Sequence, residues 1–380
     1  MNLPVYLDFN ATTPIAPEVL DAMLPFLREH HGNPSSAHAY GRRAARALAQ
    51  ARERVAALIG AAADEIVFTG CATEANNLAL LGAAAAAPLG KRHLVVSAVE
   101  HPAVLAPAEH LRRSGWEVTV VPVDSSGRVA VRSVADALRA DTMLVSIMHA
   151  NNEVGTLQPI EAIAALTKPL GIVLHTDAAQ SAGKLALDVD ALGVDLLTLA
   201  GHKFHAPKGV GALYVRAGTR LAPVLHGAGQ ECGLRPGTEN VAAAVALGAA
   251  AELARRSLPG IGDELRRLRD RLHERLASAI PDLLLNGHDA LRLPNTLHVS
   301  FPGTSGRALL QAAADDVAAS VGSACHSEDD AVSGVLAAMG VDARRAAGAV
   351  RLSVGRTTTD DEIDRAAQAL IRAWRRLAAA

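Results

Sequence analysis

Aromatic residues are scarce in this chain. Phe, Trp and Tyr make up 3% of its 380 residues, too few for a surface that stacks nucleic-acid bases. Charge of one sign is lacking as well: 37 Lys plus Arg stand against 39 Asp plus Glu, a formal net charge of -2. Without an excess of either sign there is no field to hold a polyanion nonspecifically, so no direct nucleic-acid partner is expected. Cysteine is rare too. Cys71, Cys232 and Cys325 are odd in number and widely spaced, which excludes a disulfide framework and any zinc-ligand spacing. A reducing cytoplasm suits such a chain. The opening MNLPVYLDFN lacks the basic stretch and apolar run of a signal peptide. The longest apolar stretches, near residues 78–89 and 241–253, fall short of the roughly 18 residues that suggest a membrane span.

Hydrophobic side chains are abundant, at 50%, while charged ones are 20%, the balance of a globular protein with a large core. Ala, Leu and Val must supply most of that core. Short apolar runs at 65–69, 93–98, 117–123, 143–149, 171–176 and 195–199 alternate with helical patterns. Parallel pairing through helical crossovers follows. The next run, 210–215, comes too soon for a crossover, which predicts one antiparallel pair in an otherwise parallel sheet. Beyond about Ala217 the texture changes. A Gly-rich loop at 227–237 precedes an Ala-rich helix, then an Arg/Leu helix near 263–276, strands at 296–301 and 350–354, and a final amphipathic helix from about Asp360. The expectation is a large α/β domain over 15–255 and a smaller α+β domain formed by 1–14 and 256–380.

Four stretches carry candidate chemistry. In HTDAAQ, Asp177 closes a strand at its carboxyl end, where ligands of open α/β sheets bind; it could anchor a ribose, a metal or a protonated pyridine. In AGHK, Lys203 follows a strand among small residues beside His202. Desolvation and neighbouring cations lower an amine pKa, as Schiff-base chemistry requires. In TGCATEAN, a strand gives way to a small-residue turn and a helix start. Its free N–H groups and the Thr73 hydroxyl could cradle a phosphate. In GSACHS, Cys325 stands among small and polar residues before an acidic stretch, the pattern of an exposed loop over about 322–334 with a reactive thiol. Cys71 and Cys232 read as structural or incidental. His101 in EHP and Asn152 in NNE gain weight only beside the others.

Together these words resemble the cysteine desulfurases of the class V aminotransferase family, enzymes that use pyridoxal 5′-phosphate (PLP). The resemblance spans nearly the whole chain: YLDFNATTP, GNPSSAH, EIVFTGCATEANN, VSIMHANNEVG, HTDAAQSAGK, AGHKFHAPKGVGALYVR, RPGTEN, SVGSAC and VRLSVGR, in that order. It implies fold type I, with a mostly parallel seven-stranded sheet flanked by helices. It further implies that Lys203 holds PLP as a Schiff base, that Asp177 pairs with the pyridinium nitrogen and that His101 stacks on the ring. Asn152 and Gln180 would contact the ring oxygen and the substrate region. Ala72, Thr73 and His202 would bind the phosphate beside Ala200 and Gly201, with Thr238 reaching in from a second subunit of a homodimer. Arg351 would pair with the substrate carboxylate, with Arg356 as a second candidate. Cys325 would take sulfur from L-cysteine as a persulfide, release alanine, and pass the sulfur to an acceptor: an iron–sulfur scaffold, a tRNA thiolation factor or a DNA phosphorothioation protein. The same thiol is an expected transient iron–sulfur ligand.

The sequence departs from that pattern in three places. Ala200 stands where a Ser hydroxyl would touch phosphate, Cys232 replaces an expected Arg, and Glu328, Asp329 and Asp330 make the loop after Cys325 unusually acidic. Three other readings are a selenocysteine lyase, another class V enzyme such as an aminotransferase, and a non-catalytic sulfur-relay scaffold that keeps the PLP fold.

Overall fold

The computed structural model describes residues 3–322 and 333–378. Seven strands form the central sheet in the order Ile66–Thr69, Gly211–Val215, Leu196–Ala200, Val173–Asp177, Thr142–Ser146, His93–Ser97 and Glu117–Val121. Gly211–Val215 is antiparallel to both neighbours, and every other pairing is parallel. The antiparallel pair expected at 195–215 is therefore present, in the register Thr198 to Leu213. The inner strands LLTLA, TMLVS and HLVVS are buried at every position, as a sheet covered on both faces requires.

Helices Ala72–Ala85 and Pro102–Arg113 cover one face, where Leu78, Leu94, Val104, Leu196 and Leu213 share a core. Helices Ala39–Leu58 and Ile160–Thr167 and the start of Val241–Ala279 cover the other, around Val55, Val145, Leu174, Leu199 and Leu247. Gly248 lets two of these helices touch: a Cβ there would stand 2.6 Å from Ala51 Cα.

A separate core gathers Val5, Leu7, Leu268, Leu272, Leu297, Val299, Leu352, Ile363 and Leu370. It lies between a three-stranded antiparallel sheet (Ala349–Ser353, Thr296–Ser300, Leu284–Leu285), the end of Val241–Ala279 and helix Asp360–Ala378. Val5–Tyr6 pairs in parallel with Val317–Ala318, which ties the start of the chain to its last quarter. The two helices expected around 241–276 are both present within Val241–Ala279, divided by the non-helical backbone of Pro259 (ψ 98°) and Gly260 (φ 105°). Proline removes a backbone donor and glycine tolerates the positive φ, so one helix stops there and the next begins. Among the described residues no helix is long and apolar enough to cross a membrane.

Candidate active site

The parallel strands end on one side of the sheet, and the loops that leave them line a cleft with about 960 Å³ of empty space. Strand Val173–Asp177 delivers Asp177, and Leu196–Ala200 runs through Gly201 to His202 and Lys203. His93–Ser97 leads to His101, and Thr142–Ser146 leads to Asn152. Ala72, Thr73, Gln180, Ala200 and Arg351 complete the expected residues that line the cleft.

Asp177 is buried. Its Oδ2 accepts from Asn76 Nδ2 at 2.7 Å and its Oδ1 from the Ala179 N–H at 2.9 Å. Asn76 and Ala72 share one helix, whose N-cap residue Cys71 has extended backbone and gives no side-chain cap. The first N–H groups of that helix are thus open to an acceptor in the cleft. Gly211 allows the approach of this turn to the sheet: a Cβ there would lie 2.8 Å from Cys71 C and 3.0 Å from Ala72 N.

The Lys203 amine donates to Asn10 O at 2.6 Å and Ala11 O at 2.9 Å. His101 caps its own helix, its Nδ1 accepting from the Ala103 N–H at 3.0 Å. That bond leaves the ring proton on Nε2. Burial lowers the His101 pKa, the Lys203 cation lowers it further, and the Asp177 charge opposes both. His202 is pushed down to about 4, first by burial and then by Lys203, Lys208 and Lys184. Its Nδ1 meets Thr12 Oγ1 at 3.1 Å. Both imidazoles are neutral near pH 7.

Arg351 is buried and spread over three partners. Nη1 donates to Asn152 O at 2.9 Å, while Nη2 donates to Asp8 Oδ1 at 2.9 Å and Ser320 Oγ at 2.8 Å. Among the described residues its Nε has no hydrogen-bond partner.

Three expected residues stand elsewhere. Gly201 is buried behind the cleft, its absent side chain replaced by Val210 and Leu247. Arg356 lines a neighbouring cavity on the far side of Lys203. Thr238 is exposed and outside the cleft. Cys325 lies outside the described residues, as do Glu328, Asp329 and Asp330. The flanking residues Gly322 and Ser333 are described. Both meet Glu153, the neighbour of Asn152: Ser333 Oγ donates to Glu153 Oε2 at 2.5 Å, and a Cβ on Gly322 would stand 3.1 Å from the same oxygen. Among the described residues no group of three or more His, Cys, Asp or Glu could hold a metal ion.

The residue-by-residue reading did not single out Asn76, Asn10 or Cys71. Asn76 is one helical turn after Ala72, so the spacing held a signal. Asn10 comes from the far end of the chain, and only folding brings it to Lys203. Cys71, read as incidental, is exposed and lines the cleft.

A doubly wound sheet with a lysine and an aspartate at adjacent strand ends and an open helix start facing them defines a class of PLP-dependent fold. The chain matches the family described as aminotransferase class-V over residues 5–366 and belongs to that PLP-dependent family. It is 45% identical over 365 residues to a protein named cysteine desulfurase IscS from Dictyoglomus turgidum, covering 96% of this chain and 93% of that one. It is 46% identical over 380 residues to another of that name from Anaeromyxobacter sp., covering 99% and 94%. Among solved structures, one titled NifS-like protein superposes with a TM-score of 0.91 at 39% identity, over 97% of this chain and 99% of that one.

Proposed function

We propose that this chain is a PLP-dependent cysteine desulfurase that converts L-cysteine to L-alanine and leaves the sulfur on Cys325 as a persulfide. The observation that carries the reading is the convergence of the Lys203 amine, the Asp177 carboxylate and the open start of helix Ala72–Ala85 on one cleft. The donor set fits PLP, an anionic phosphate at one end of a ring with a basic nitrogen and an aldehyde. The helix N–H groups, Thr73 and His202 suit the phosphate. The carboxylate, which accepts from Asn76 Nδ2 and the Ala179 N–H, suits a protonated ring nitrogen. The amine suits the aldehyde. Ala200 gives no hydroxyl, so the phosphate rests on the remaining donors.

Bound there, PLP supplies an electron sink for the Cα of an amino acid. The protein's own groups do the rest. Lys203 would hold PLP through its amine and, when free of it, would take the Cα proton on Nζ. His101, neutral and protonated on Nε2, would stack on the ring and offer that proton toward the substrate. Asn152 and Gln180 hold the ring-oxygen side, and the Arg351 fork fixes the substrate carboxylate. The Cys325 thiolate attacks the substrate sulfur. The C–S bond breaks with its electron pair left on carbon, protonation there gives alanine, and Cys325 carries S–SH. The reading is supported by the described residues on either side of Cys325, Gly322 and Ser333, which both meet Glu153, beside Asn152.

The reading includes a homodimer. It is supported by the exposed position of Thr238, outside its own subunit's cleft, and by the exposed apolar side chains of Leu20, Leu27 and Tyr40. It divides the chain into 15–255 and a second domain of 1–14 with 256–380, supported by the two separate cores and the break at Pro259. The final acceptor would be a sulfur-accepting protein such as an iron–sulfur scaffold, in the cytoplasm.

Two variants test this. Lys203→Ala should lose the visible absorbance of PLP-loaded protein; a band that survives dialysis refutes the role of Lys203. Cys325→Ser should keep PLP but release no alanine from L-cysteine; unchanged alanine release in the presence of a reductant refutes the persulfide step.

A further inference from the structure

Lys184 is 8% exposed. Both of its hydrogen bonds end on one residue: Nζ donates to Gln180 O at 2.9 Å and to Gln180 Oε1 at 3.1 Å. A buried ammonium costs several kcal/mol unless its surroundings use the charge, and here the use is orientation. A carboxamide has an acceptor edge and a donor edge. With Oε1 held by Lys184, the NH2 edge of Gln180 must face the other way. It does: Nε2 donates to Asn10 O at 3.0 Å, the same oxygen that accepts from Lys203 Nζ at 2.6 Å. Gln180 lines the cleft, and among the described residues its Nε2 donates only to Asn10 O, which leaves a second N–H for a ligand next to the lysine amine. A flipped amide would turn a lone pair there instead.

We propose that Lys184 is a positioning residue: it clamps the acceptor edge of Gln180, so that the donor edge faces the ring oxygen of a cofactor carried on Lys203. The inference rests on the PLP reading above. A donor at that oxygen competes for the electron pair that would otherwise hold a proton on the Lys203 nitrogen, and so lowers the pH at which that proton leaves. The charged and titratable groups around Lys184 are Lys203, Arg351, His202 and His205. None is anionic, so none competes with Gln180 as the acceptor for the Lys184 amine. Burial, then Lys203 and Arg351, bring the Lys184 pKa down to about 7.

The experiment is a pH titration of the visible band of the PLP-loaded protein. A wild-type protein with no such band would defeat the cofactor reading rather than this one. Lys184→Met should raise the titration midpoint by on the order of one pH unit, and Gln180→Leu should do the same. Their combination should move it no further than Gln180→Leu alone. Lys184→Gln keeps an N–H donor without the charge, and should stay near the wild-type midpoint. Additive shifts, an unmoved midpoint in Lys184→Met, or a Lys184→Gln midpoint matching that of Lys184→Met would each overturn the clamp. Should Lys184→Met lack a native melting transition, the comparison of Lys184→Gln with Gln180→Leu decides alone: equal midpoints overturn the clamp, and a lower one for Lys184→Gln sustains it.

Discussion

Asn76 Nδ2 donates to Asp177 Oδ2 at 2.7 Å, joining the helix that opens at Ala72 to the strand that closes at Asp177. One contact thus fixes the spacing between the helix start proposed to hold phosphate and the carboxylate proposed to hold the ring nitrogen. A hydrogen bond to a charged acceptor is worth about 1.5–3 kcal/mol. Asn76→Ala should therefore weaken PLP binding by about tenfold or more, read as the dissociation constant in apo-protein titrations. A constant within twofold of wild type would show that Asp177 holds its place unaided.

Arg351 presents a fork whose two terminal nitrogens already bridge Asn152 O, Asp8 and Ser320. A lysine ammonium is a point charge and cannot span them. Arg351→Lys should raise KM for L-cysteine by about tenfold or more with a smaller change in kcat. A change confined to kcat would move Arg351 from substrate binding to the chemical step.

Buried imidazoles should make the fold acid-sensitive. His175 lies between Ser146 Oγ and Thr198 Oγ1 with its pKa lowered to about 4 by burial. His298 is lowered to about 3 by burial and by Arg351 and Arg345. Unfolded histidines bind a proton near pH 6.5. Between these values the unfolded chain holds more protons than the folded one, so each imidazole contributes stability that is full above about 6.5 and lost as the pH falls, towards 4 for His175 and 3 for His298, on the order of 3 to 5 kcal/mol each. Glu100 works the other way: burial lifts it to about 8, so it favours the fold at lower pH. One carboxyl does not offset two imidazoles. The urea midpoint should drop steadily from pH 6.5 to 4.5, and a flat profile would contradict this.

Cys232 has φ 59° and follows Glu231 at φ 46°. The buried Glu231 carboxylate holds this turn by accepting from Arg52 at 2.5 and 2.8 Å and from the Phe68 N–H at 2.7 Å. Cys232 itself is exposed and carries a free thiol. Relief of its left-handed strain, less the entropy glycine adds to the unfolded chain, should make Cys232→Gly more stable by about 1 kcal/mol. A lower melting temperature would mean that the thiol packs usefully.

The strands of the large sheet were legible to within a few residues, because fully buried runs such as LLTLA and TMLVS carry their pattern locally. So was the antiparallel neighbour, because a short connection forbids a crossover. So were the two helices that Pro259 and Gly260 divide within Val241–Ala279, because each carries its own local pattern. The short pairing of Val5–Tyr6 with Val317–Ala318 was hidden, because contacts between residues so far apart leave no periodic trace.

By itself the sequence determined the chemistry available: an amine after one strand, a carboxylate closing another, small residues opening a helix, and a thiol near the end. These are local choices of side chain against backbone. Tertiary structure decided which of them face each other. It brought Asn10 from the first strand's loop to Lys203, set Asn76 on Asp177, and left Arg356 and Thr238 outside the cleft. Hydrogen bonds across a hundred or more residues form only when the layers of the fold close, and no spacing along the chain encodes them.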